Sequence, residues 1–118
     1  MKNESVLLNA SIEFAVCVIE YYKWLTTEKN EYVMSRQLLK SGTSIGANIH
    51  EAYYAVSKPD FIAKMQIALK EASETEYWLT ILERTGFADM RFESLKAQNL
   101  SLKRMLIATL KTSKSAVQ

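Results

Sequence analysis

Apolar residues recur along this chain in alternating steps of four and three, the spacing that gathers them on one face of a helix. Between Val6 and Leu25 two such stripes run side by side. Leu8, Ile12, Ala15, Ile19 and Tyr22 read as a bundle seam, and Leu7, Phe14, Val18, Tyr21 and Leu25 form a second stripe beside it. A helix apolar over so wide an arc needs contacts on two sides. The polar stretch 26–30 breaks the pattern and is short enough to favour an antiparallel neighbour.

A second helix follows, with its seam at Leu38, Gly42, Ile45, Ile49, Ala52 and Val56. Ser57-Lys58-Pro59-Asp60 ends it and starts the next, since Ser57 has an acid three residues on and proline suits a first helical turn. Phe61, Met65, Ala68, Ala72, Thr75, Leu79 and Leu82 carry a third helix over about 60–84, stopped by Thr85-Gly86. Asp89 is placed to cap a fourth, whose seam is Phe92, Leu95, Asn99, Leu102 and Leu106 with Leu110 beyond; Ser113 to Gln118 is expected to fray. The spacing therefore predicts an all-α fold, an antiparallel up-down-up-down four-helix bundle forming a single domain over 1–118.

The middle of the second helix is unusual. Ser41-Gly42-Thr43-Ser44 and Gly46-Ala47 put six small residues in seven positions, although each helical glycine costs about 1 kcal/mol relative to alanine. Close helix packing through Ser41, Gly42, Ser44, Gly46 and Ala47 offsets that cost, with hydroxyls bonding back to the preceding turn. A phosphate-binding loop is the sharper alternative, but Ser-Gly-Thr-Ser-Ile-Gly lacks the Gly-Lys-Ser/Thr ending and no strand precedes it.

Composition sharpens this picture. With only 3 Gly and 1 Pro in 118 residues, the chain has few turns. No apolar run approaches the roughly 20 residues that span a bilayer, and the start of the chain has no long apolar region of the signal-peptide kind, so a cytoplasmic protein is expected. The lone Cys17, among apolar neighbours, reads as a small hydrophobe.

Converging catalytic groups are missing. His50 begins a sequence like the zinc-protease motif, but Tyr54 stands where the second histidine must be, and Ala47 breaks a Glu-x-x-His di-iron pair. Glu71 and Glu74 share a helix face while Glu76 points away, which suits surface pairing with Lys64, Lys70 or Asn48 and Ser44 better than a cation site. No enzyme, metal, cofactor or small-molecule substrate is expected.

Charge is more informative when divided along the chain. Residues 1–87 carry a net −2, and residues 88–118 a net +4. From residue 94 onward there are five basic residues and no acidic ones, and Lys96, Lys103, Arg104, Lys111 and Lys114 fall on one side of the fourth helix. Such a ridge suits RNA or DNA phosphates, with steep salt dependence and little base preference. An acidic protein partner, with the bundle acting as an interaction scaffold, fits the same charges.

The run from Ser41 to Ala52, then Asp60-Phe61 and Ile67-Ala68-Leu69-Lys70-Glu71-Ala72-Ser73-Glu74-Thr75-Glu76-Tyr77-Trp78-Leu79, resembles the four helix bundle protein family, also called the 23S rRNA-intervening-sequence protein family. Lys40 departs from the arginine, and His50 from the glutamate, that the family commonly carries there. The resemblance implies an antiparallel bundle assembling as a ring-shaped homopentamer. It also implies similarity to the accessory protein of diversity-generating retroelements, which binds nucleic acid and its reverse transcriptase. The family's own role is largely undefined. Tyr53, Tyr54, Tyr77 and Trp78 exceed what one narrow seam requires and are candidates for the subunit interface.

Overall fold

In the computed structural model, which describes residues 2–117 and the side chains of 6–115, four helices follow one another: α1 (Lys2–Thr27), α2 (Met34–Ala52), α3 (Lys58–Arg84) and α4 (Phe92–Val117). Each packs on its sequence neighbours and α1 closes against α4, with no diagonal contact among the described residues, giving an antiparallel bundle 49 × 22 × 20 Å in extent. The long dimension follows from the helices themselves, since 26 residues rising about 1.5 Å each make a rod of about 39 Å.

Local chemistry sets the helix ends. Asn30 takes a positive φ of 53° in the first loop, a conformation asparagine tolerates. The α2 amides are then covered from outside the helix, where Glu31 accepts bonds from the backbone N–H of Val33, Met34 and Ser35, the last at 2.7 Å. Ser57 caps α3 by accepting from the Asp60 N–H at 3.1 Å, with Pro59 in the first turn. At the other end of α3 the Phe87 N–H reaches Leu82 O and the Gly86 N–H reaches Glu83 O, a Schellman pair that needs the φ of +90° at Gly86. Asp89 accepts from the Arg91 N–H at 2.9 Å as α4 begins.

The core runs the length of the bundle. On α1 the buried stripe is Leu7, Phe14, Val18, Tyr21 and Leu25, with Ser11 filling the missing step. This exchanges the two stripes read from the sequence. Ile12 remains 50% exposed and Val16 49% exposed, while Leu8, Ala15 and Tyr22 are only half-buried. The reason is fit: Ser11 and Val18 present the surfaces that Gly46 and Gly42 of α2 approach, which turns their stripe inward. Two further expectations change. Val56 lies beyond the end of α2 and is 93% exposed, so it is no seam residue. Helix α4 runs to Val117, past the Ser113 at which fraying was expected, and buried Ser113 adds one more three-residue step to the Leu106–Leu110 stripe; Gln118 lies outside the described residues.

Polar groups interrupt the core at a few points. Ser41 and Thr75 join α2 to α3 through hydroxyl oxygens 2.9 Å apart, and Thr75 also bonds back to Glu71 O. Asn99 donates from α4 to Ala72 O of α3 at 3.0 Å, and its own Oδ1 has no partner among the described residues.

Candidate nucleic-acid interface

The five basic residues of α4 lie where the bundle's packing leaves them: Phe92, Leu95, Asn99, Leu102, Leu106 and Leu110 turn inward, so the lysines and Arg104 occupy the flank toward α3 and the outer surface. Their environments differ. Lys103 is half-buried, with Nζ 2.9 Å from Glu76 Oε1 of α3. Lys96 Nζ is 3.4 Å from Glu83 Oε1 and 3.9 Å from Glu93 Oε2, and it also sits 5.7 Å from the Phe92 ring centre. Arg104, Lys111 and Lys114 are exposed and have no ion-pair partner among the described residues. The ridge is thus two surfaces: an N-terminal half matched by α3 carboxylates and a C-terminal half with open positive charge. Two apolar side chains stand among these cations, Leu100 at 42% and Ile107 at 48% exposure.

The small-residue segment of α2 divides between two neighbours. Gly42 and Gly46 are buried against α1, where a Cβ at Gly42 would meet the Val18 methyls at 3.0 and 3.1 Å and one at Gly46 would meet Ser11 Oγ at 2.9 Å. Ser41 faces α3 through Thr75. Half-buried Ser44 bonds back to Lys40 O at 2.7 Å, and Ala47 is exposed.

The four candidate interface aromatics also separate. Tyr53 is half-buried against the core, its ring 6.4 Å from that of Phe61. Tyr54 is 77% exposed beside His50, ring centres 5.2 Å apart. Tyr77 stands exposed on α3 with its ring edge-on to Trp78 at 5.0 Å, and Trp78 Nε1 donates to Glu74 Oε2 at 3.1 Å. Glu74 therefore serves Trp78, and Lys64 pairs with Glu51 at 3.4 Å. Partial burial, reinforced by Glu74, raises the Glu71 carboxyl above its ordinary value, with Lys70 and Lys40 opposing. Asn48 donates to Ser44 O at 2.8 Å.

Sequence reasoning did not identify Glu76 and Glu83 as the counter-charges of the ridge, nor Val16 as the residue that joins Ile12 and Ile19 into an exposed apolar stripe on α1. The second had a signal, the i, i+4, i+7 spacing of these three residues. The first needed the α3–α4 register.

At the end of the bundle where α2 meets α3, a groove of about 760 Å³ opens between Val6, Tyr53, Lys58, Phe61, Met105 and Thr109. Among the described residues, no group of three or more His, Cys, Asp or Glu side chains could hold a metal ion, and no helix is long and apolar enough to cross a membrane. Cys17 is a free thiol packed at the edge of the core.

Residues 3–108 match the family described as 23S rRNA-intervening sequence protein. The chain is also similar to a solved protein of unknown function from the S23 ribosomal protein family of Bacteroides thetaiotaomicron. The two share 48% identity and a TM-score of 0.90, over 92% of this chain and 98% of that one. No curated protein matches.

Proposed function

The chain belongs to the 23S rRNA-intervening sequence protein family, and we propose that it acts there as a non-enzymatic, self-associating cytoplasmic bundle that binds structured RNA or DNA through α4. One observation carries this reading: Arg104, Lys111 and Lys114 project from a helix that has no acidic residue after Glu93, and none of the three is neutralised by a described side chain. Phosphates would take that place, with affinity that falls steeply with salt. The role of the fold is to repeat the surface.

Self-association is supported by apolar surface on two different helices, Ile12 with Val16 and Ile19 on α1 and Tyr77 with Trp78 on α3. Contact between two unlike patches is heterologous and closes into a ring when its rotation allows. A homopentamer is the ring that the family resemblance implies, and in it α4 would occur five times. Fluorescence anisotropy with a structured RNA at low and high salt tests the reading. Saturable binding that weakens with salt is expected, and no binding at low salt would remove it.

A protein-scaffold reading has its own support. Leu100 and Ile107 interleave apolar surface with the cations, as a contact for an acidic helix would require. Capture of a protein that survives nuclease treatment, without RNA binding, would favour it.

A further inference from the structure

We infer that phosphate contact is confined to the C-terminal half of α4, and that Glu76 and Glu83 of α3 set its boundary. The inference rests on the nucleic-acid reading above and names which of its five cations act. Around Lys96 and Lys103 the local balance is negative, because Glu76, Glu83 and Glu93 outnumber the two lysines. A phosphate brought to half-buried Lys103 meets the Glu76 carboxylate held 2.9 Å from the same ammonium. Lys96 is shared between Glu83 and Glu93. Beyond Lys103 the sign reverses: Arg104, Lys111 and Lys114 follow one another with no acid on the helix.

Exposed ion pairs are individually weak, about 0–1 kcal/mol, so the two carboxylates do not lock the lysines. They act as resident anions that a phosphate must displace. Each displacement releases a condensed cation from the nucleic acid but leaves a freed carboxylate that takes one up, so these positions add little to the salt dependence of binding. Glu76 and Glu83 thereby limit how much of α4 a polyanion can cover.

The test uses the full chain and a fluorescent RNA hairpin, with affinity measured across a salt series. Replacing Lys111 and Lys114 by Gln should weaken binding roughly tenfold at low salt and lower the slope of log K against log salt by about two. Lys96→Gln with Lys103→Gln should leave the slope unchanged. Glu76→Gln with Glu83→Gln should tighten binding and raise the slope by about two, as the freed lysines join the contact. Equal slope changes for the two lysine pairs would overturn the inference while leaving the nucleic-acid reading intact. Failure of the wild-type protein to bind at low salt would overturn both. Amine acylation followed by mass spectrometry adds a readout without RNA: Lys96 and Lys103 should react more slowly than Lys111 and Lys114, and the Gln variants of Glu76 and Glu83 should erase the difference. Equal rates in the wild-type protein would also overturn the boundary.

Discussion

Gly46 of α2 rests directly on Ser11 of α1: a methyl group at Gly46 would lie 2.9 Å from Ser11 Oγ and 3.3 Å from its Cβ. Ser11 Oγ cannot simply swing away at no cost, since it donates to Leu8 O at 2.7 Å. The glycine and the serine are one feature, a point where two helices approach more closely than ordinary side chains permit. Gly42 and Val18 repeat it one turn along α2.

Gly46→Ala therefore sets two effects against each other. Alanine gains about 1 kcal/mol of helix propensity, while overpacking a close contact costs about 1–3 kcal/mol. The net expectation is a loss on the order of 1 kcal/mol in urea unfolding. In a Ser11→Ala background, where the nearest atom is gone, the same change should cost less. An identical loss in both backgrounds would show that Ser11 is not what excludes the methyl.

Asn99 offers the opposite case. It is buried, its amide nitrogen reaches Ala72 O, and its Oδ1 has no donor. A buried acceptor left without a partner costs about 1–3 kcal/mol, and an apolar group of similar shape avoids that cost while giving up the bond to Ala72 O, worth about 0.5–1.5 kcal/mol. Asn99→Leu is expected to stabilise the bundle by on the order of 1 kcal/mol in chemical denaturation. A clear loss of stability would mean that Oδ1 has a partner in solution, such as an ordered water.

Tyr21 supplies a pH dependence. Its ring is buried against Trp24 and Phe92, and its hydroxyl donates to Phe87 O at 2.8 Å, tying α1 to the α3–α4 loop. Burial, with Asp89 adding to it, pushes the phenol well above its ordinary value. In the unfolded chain the phenol loses its proton near pH 10, whereas in the folded protein it keeps it. The unfolded state then binds fewer protons, so stability falls as pH rises above about 10. Tyr21→Phe should cost about 1 kcal/mol at neutral pH through the lost hydrogen bond. It should also fall less steeply on the alkaline side than wild type. Parallel alkaline limbs in thermal unfolding would contradict the assignment.

The fold was legible because its signals are local. Ser57 and Asp60 mark a helix start, Gly86 a stop, and the Met65–Leu82 seam of α3 is buried as its spacing implies. On α1 the spacing was ambiguous, since two stripes each satisfied the same rule. Only the position of Gly42 and Gly46 on α2 decides that Val18 and Ser11, and not Ile12 and Ile19, turn inward. Val56 satisfied the periodicity after the helix had already ended at Ala52. For the ridge, the arc along α4 follows from rotation per residue, but its division does not. That Glu76 lies opposite Lys103 and Glu83 opposite Lys96 depends on how far α4 slides along α3, which is set by side-chain packing between them.

The exposed face of α1 carries the last prediction. Ile12, Val16 and Ile19 fall at i, i+4 and i+7 and form an apolar strip on the outside of a helix whose inner face is already filled. Val16 is the informative position, because it is half in solvent and absent from the buried stripe, so a charge there costs the isolated bundle little, within about 0.5 kcal/mol. In an assembly that covers this strip, the same charge would be buried without a partner, which costs several kcal/mol per subunit contact. On the self-association proposed above, Val16→Lys should therefore lower the mass measured by light scattering toward that of a single chain while leaving the helical signal in circular dichroism unchanged. If the mass is unaltered by Val16→Lys and by Ile12→Lys, the strip is not where copies meet, and the Tyr77–Trp78 face of α3 becomes the surface to alter next.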